Sequence, residues 1–79
     1  MTAVKTMVEY VSKSLVSNPE DVSISETVGE RSITLKVEVA KEDMGRMIGR
    51  RGRTINAIRA LGRVLGKKID RRVHLHLLE

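Results

Sequence analysis

Seventy-nine residues without a cysteine leave room for one domain, residues 1–79, held by packing or oligomerisation rather than by disulfides or thiolate-bound metal. Apolar residues make up 41% and charged residues 32%, a balance that folds, and no apolar run is long enough to span a membrane. Lys and Arg outnumber Asp and Glu by fifteen to ten, a net charge of +5.

The surplus is uneven. Residues 1–40 carry four basic and six acidic side chains, while residues 41–79 carry eleven and four. Positive charge gathered in one half points to a polyanionic partner. An anionic membrane surface or plain solubility explains +5 equally well from charge alone. The first residues lack the apolar stretch of a signal peptide, so the cytoplasm is the expected compartment.

Val4, Met7, Val8, Val11 and Leu15 recur at helical period and predict an amphipathic helix over residues 4–15. Ser17-Asn18-Pro19 ends it. Val22 to Ser25 alternates as a short strand, and Val28-Gly29-Glu30 reads as a turn. Ile33, Leu35, Val37 and Val39 alternate with polar residues over 32–39, a strand with one buried face. The two strands should pair as an antiparallel hairpin. A helix of under two turns follows from Glu42 to Ile48, stopped by Gly49. A longer helix runs from about Thr54 to Leu65, with Ile55, Ile58, Leu61 and Leu65 as its apolar stripe and Gly66 as its C-cap. Val73 to Leu77 alternates as a last strand. The two-helix connection is long enough for a parallel, right-handed crossover. The expected fold is α+β, ordered α-β-β-α-α-β, with a three-stranded mixed sheet covered on one face by three helices.

The densest chemistry lies in Gly45-Arg46-Met47-Ile48-Gly49-Arg50-Arg51-Gly52-Arg53, where four arginines and three glycines fall in nine residues. Glycines at both ends of a two-residue turn permit backbone angles that other residues reach only with strain. The turn leads into a helix N-terminus, whose free N–H groups attract anions. Arg50 and Arg51 add donors suited to phosphate. The spacing fits neither a phosphate-binding G-K-[ST] loop nor the G-x-G-x-x-G dinucleotide turn. A plain helix–turn–helix connection with solvated arginines is the alternative for an isolated G-x-x-G.

A short helix ending in Ile48-Gly49-Arg50-Arg51-Gly52, then a longer helix and a last strand, resembles the KH domain. The helix–strand extension over about residues 1–30, ahead of a core over about 31–79, resembles the bacterial type II arrangement. The chain is most similar to the small stand-alone bacterial KH proteins of the KhpA (YlqC) family. Lys41 stands where relatives often have proline, and the loop has two arginines where many carry a lysine and a polar residue. The resemblance implies single-stranded RNA binding, with the loop gripping the backbone of about four nucleotides. On that basis Gly49, Arg50, Arg51 and Gly52 hold phosphates. Arg46, Arg53, Asn56 and Arg59 contact backbone or base edges. Ile48 and Ile55 line an apolar floor, or belong to ordinary core packing. The resemblance also implies post-transcriptional regulation or RNA chaperoning, links to cell-wall homeostasis and cell shape, pairing as a homodimer, and a KH-containing partner of the Jag (KhpB) family.

Tyr10 is the only aromatic residue, so base-stacking platforms of the RRM or OB type are excluded. A KH groove uses aliphatic side chains and survives that objection. His74 and His76 share one strand face, but no spacing supplies a third metal ligand. Glu20-Asp21 and Glu42-Asp43 read as helix-dipole partners and turn formers. No nucleophile–base pair is evident, and no enzyme, cofactor, metal or small-molecule substrate is expected. Gly62 points to a close contact, within the domain or across a dimer. Two further functions stay open: a protein-assembly module with incidental RNA contact, and a DNA-binding helix-turn-helix.

Overall fold

The computed structural model describes residues 2–78. Helix α1 (Ala3–Leu15) is followed by strands β1 (Ser23–Val28) and β2 (Ser32–Glu38), helices α2 (Met44–Ile48) and α3 (Arg53–Lys68), and strand β3 (Arg72–Leu77). Single 3₁₀ turns at Pro19–Asp21, Lys41–Asp43 and Arg50–Gly52 join them. The sheet order is β1-β2-β3, with β1 antiparallel and β3 parallel to β2. The central strand buries Ile33, Leu35 and Val37 completely. Each such burial contributes about 1.5–3 kcal/mol. Lys36, Glu38, His74 and His76 stand exposed on the other face. All three helices therefore cover one side of the sheet.

Helix α1 starts at an N-cap. The Thr2 hydroxyl accepts the Lys5 N–H at 3.1 Å and donates to the Glu26 carboxylate on β1. That pair joins the helix start to the edge strand. Val4 and Val8 are fully buried, while Leu15 is more than a third exposed. Ser12 is buried between them in register, its hydroxyl without a partner among the described residues.

Several boundaries differ from the expected ones. The first strand runs to Val28, which pairs with Ile33, and the turn shifts by one residue to 29–31. The Gly29 N–H donates to Ser32 O at 2.7 Å and closes it. Helix α3 does not stop at Gly66 but continues to Lys68. It ends in a Schellman pattern, with Asp70 N–H on Lys67 O at 3.2 Å and Arg71 N–H on Gly66 O at 2.8 Å. Asp70, at φ 57°, takes the left-handed position usually held by glycine.

Gly66 is instead a packing residue. A Cβ there would lie 2.5 Å from Val73 Cγ2 and 2.6 Å from Arg71 O. At Gly62 it would lie 3.2 Å from Val73 Cγ1. The close contact raised for Gly62 thus lies within the fold, between α3 and β3. Bringing 62 and 66 inward rotates the helix, and its buried line is Ile55, Ile58, Gly62 and Gly66. Leu61, expected in the core stripe, is 50% exposed, and Val64 is 66% exposed.

Candidate nucleic-acid interface

The chain from Gly49 to Gly52 turns because three of its four residues take positive φ. Gly49 has φ 74° and ψ 174°, Arg51 φ 56° and ψ 26°, and Gly52 φ 75° and ψ 16°. The first of these conformations is open essentially to glycine alone. Gly49 N–H donates to Gly45 O at 2.9 Å and ends α2, and Gly52 N–H donates to Gly49 O at 3.2 Å. Arg51 sits at the tip in the left-handed region, at a cost of about 1–2 kcal/mol.

The loop delivers the chain directly into α3. The Arg53 N–H is taken by Arg50 O, but no side chain caps that helix start, so its positive dipole end favours an anion there. Arg50, Arg51 and Arg53, all exposed, line a depression of about 390 Å³ beside it. Guanidinium forks in such a setting suit phosphate oxygens.

Asn56 and Arg59 lie about one and two turns further along the helix and are brought together. Arg59 Nη1 donates to Asn56 Oδ1 at 3.2 Å, and its Nε donates to Leu75 O at 3.2 Å. Arg59 therefore reaches from α3 to the edge strand β3. There it lines a larger open groove of about 940 Å³ between α3 and β3. Arg63 and Lys67 continue its helix wall, and His74, Leu75 and His76 form part of its strand wall. None of these five was among the expected contact residues. Their signal was present for the helix wall, because Arg59, Arg63 and Lys67 recur every four residues.

The two isoleucines separate. Ile48, at the end of α2, is 38% exposed, whereas Ile55 is 6% exposed and belongs to the core cluster. Arg46 stands apart from both cavities. Its Nη1 donates to Ser17 Oγ, just beyond α1.

Asp43 explains that placement. It is 1% exposed. It accepts the Ser17 N–H at 2.9 Å, the Asn18 N–H at 3.1 Å and Asn18 Nδ2 at 3.1 Å. The Ser17 N–H holds its carboxyl below the ordinary value against the opposing effect of desolvation, helped by Asn18 and by the charge of Arg46. Asp43 makes no capping bond to α2. The expected dipole partner is a buried clamp on the loop leaving α1. Among the described residues no group of three or more His, Cys, Asp or Glu could hold a metal, and no helix is long and apolar enough to cross a membrane.

Comparison with known proteins gives the family. The family model described as the KhpA/KhpB KH domain matches residues 5–77. An "RNA-binding protein KhpA" from Clostridium perfringens is 42% identical over 74 residues, covering 94% of this chain and 99% of the relative. One from Listeria monocytogenes is 46% identical over 67 residues, covering 85% and 88%. One from Aquifex aeolicus is 37% identical over the full length of both chains. No solved structure matches the chain at a significant level. With the helix–strand–strand–helix–helix–strand order, the mixed sheet and a match across nearly all of its length, the chain has the type II KH fold and belongs to the KhpA/KhpB KH-domain family.

Proposed function

We propose that the chain binds single-stranded RNA, with the Gly49-Arg50-Arg51-Gly52 loop gripping the phosphate backbone. The observation that carries this reading is the loop itself. Three positive-φ residues aim an uncapped helix start and three exposed arginines at one point on the surface. Asn56 and Arg59 then contact backbone or base edges, and Ile48 offers apolar surface beside them. Arg46 and Ile55 act indirectly, one bracing α2 against the Ser17 loop and the other supporting α3 from the core. The names of the relatives support RNA as the ligand. With one aromatic residue in the chain, affinity is mainly electrostatic and falls steeply with salt.

The whole chain acts as one KH domain in the cytoplasm, as a binding module rather than an enzyme. Its role is that of a post-transcriptional regulator or RNA chaperone. Ala57, Ala60, Leu61 and Val64 form an exposed line along α3, a surface suited to a second copy or to a Jag (KhpB)-family KH partner. That line also favours a second reading, a protein-assembly module with incidental RNA contact. The helix-turn-helix alternative fits less well, because α2 has five residues and the turn carries arginines.

The test is a titration of a short labelled single-stranded RNA pool. Arg50→Asp/Arg51→Asp should lose at least tenfold in affinity while keeping its circular dichroism and Tm. Equal binding by both proteins would remove the loop from the site. Binding by neither would favour the assembly module. Sedimentation at tens of micromolar should show a dimer, and a monomer there would rule out self-pairing.

A further inference from the structure

The α3–β3 groove does not end at Arg59. It continues to the far end of α3, where Arg63 and Lys67 meet Arg71 of the α3–β3 connection, Arg72 at the start of β3 and Arg31 of the β1–β2 turn. Three separate parts of the chain converge there. Arg71 Nε donates to Gly29 O at 2.9 Å, and Arg72 N–H donates to Arg31 O at 2.8 Å. These bonds fix the hairpin turn against the end of the groove. Asp70 is the one carboxylate in its lining. The single salt bridge among the described residues, Lys13–Glu9, lies elsewhere on α1. The cluster is thus a set of like charges without ion-pair partners among the described residues, and its summed positive field attracts an anion.

We infer that this cluster is a second phosphate subsite, which engages the same RNA strand downstream of the four nucleotides gripped at the loop. The inference rests on the RNA-binding reading above. Arg53 and Lys67 are about 21 Å apart along the helix axis, at ~1.5 Å per residue. Four stacked nucleotides span only about 14 Å at ~3.4 Å each. A strand that enters at the Gly49–Gly52 loop and follows the groove reaches Lys67 after about two further nucleotides at ~3.4 Å each. Arg59 and Arg71 are already held by backbone carbonyls, so less side-chain freedom is lost when phosphate arrives. The hairpin turn of the N-terminal extension thereby becomes part of the RNA path.

The experiment compares random tetramer and octamer RNA pools, each labelled at one end, over a range of salt. Wild type should bind the octamer at least tenfold more tightly than the tetramer. Its log–log salt slope should be steeper by about 1.4, from about two extra phosphates at ~0.7 each. Arg63→Glu/Lys67→Glu, two exposed positions, should abolish most of that length gain and leave tetramer binding within about twofold. Asp70→Asn keeps a residue that tolerates the left-handed backbone. It should strengthen octamer binding roughly two- to threefold and leave the tetramer unchanged, as expected for one repulsive charge removed from a phosphate path. Equal affinity for tetramer and octamer would overturn the second subsite while the loop reading stands. Equal weakening of both by Arg63→Glu/Lys67→Glu would also overturn it, because those cations would then belong to the four-nucleotide grip. Stronger competition by a polyglutamate peptide than by the octamer would overturn it in favour of an acidic protein partner. Binding of neither RNA would remove both readings together.

Discussion

Replacing Gly49 by alanine should destabilise the protein by about 3 kcal/mol, since the backbone there is in a region that costs ~1–3 kcal/mol even without a clash. A clash is present as well. The new Cβ would sit 2.8 Å from Thr54 Cβ and 2.9 Å from Thr54 N. Thr54 lies in the first turn of α3, and its backbone cannot yield without moving the helix. At 4–8 °C per kcal/mol for a domain of this size, Tm should fall by roughly 15 °C. Gly52→Ala is the control. Its Cβ would find Asn56 Nδ2 at 3.4 Å, so only the left-handed backbone is penalised, at about 1 kcal/mol. Thermal melts should therefore rank wild type above Gly52→Ala and Gly52→Ala above Gly49→Ala. Adding Thr54→Ala to Gly49→Ala should recover part of the loss and no more, because the Thr54 nitrogen remains. A Gly49→Ala protein that melts with wild type would rule out the positive φ and close Thr54 contact at this position.

Asp43 carries the second large effect. Removing its carboxylate leaves the N–H groups of Ser17 and Asn18 without their acceptor in a nearly buried place. Asp43→Ala should lower Tm by roughly 10 °C. Asp43→Asn should lower it less, because one amide oxygen can still accept. The pH dependence has a definite sign. The folded carboxyl titrates below its unfolded value near 3.9, chiefly through the Ser17 N–H. Its contribution is therefore complete above about pH 4 and is lost as pH falls through the lowered folded value. Between pH 7 and 5 the stability gap between wild type and Asp43→Asn should be constant, and it should close below pH 4. A gap that changes near neutrality would assign the effect to another group. The clamp also matters for the interface, since the loop it holds includes Ser17, the partner of Arg46 at the base of α2.

The linear order of elements and their faces were legible because they follow from local periodicity. Alternation over residues 32–39 placed Ile33, Leu35 and Val37 inward, and all three are fully buried. The two glycines around Arg50-Arg51 marked the loop, and both take the positive φ that their chemistry permits. Helix α3 was harder to delimit. By propensity Gly66 ends a helix, but here Val73 of a strand distant in sequence packs against its missing side chain. Local preference of about 1 kcal/mol yields to such packing. The same contact turns Leu61 outward, and a hydrophobic stripe counted along the sequence could not foresee it. Asp43 likewise looked like a helix-start acid, because its partners, Ser17 and Asn18, are some 25 residues away in the chain.

The sequence by itself determined the type of each element, the Gly49–Gly52 loop and the concentration of charge in the second half. These depend on neighbours within a few residues. Only the tertiary structure decided where the arginines point and which of them share a groove. Arg31 comes from the hairpin turn, Arg63 from a helix and Arg71 from the loop after it, and crossover pairing of β2 with β3 brings all three to one end of α3. Charge acts through space, so its pattern is fixed only when distant segments are brought together.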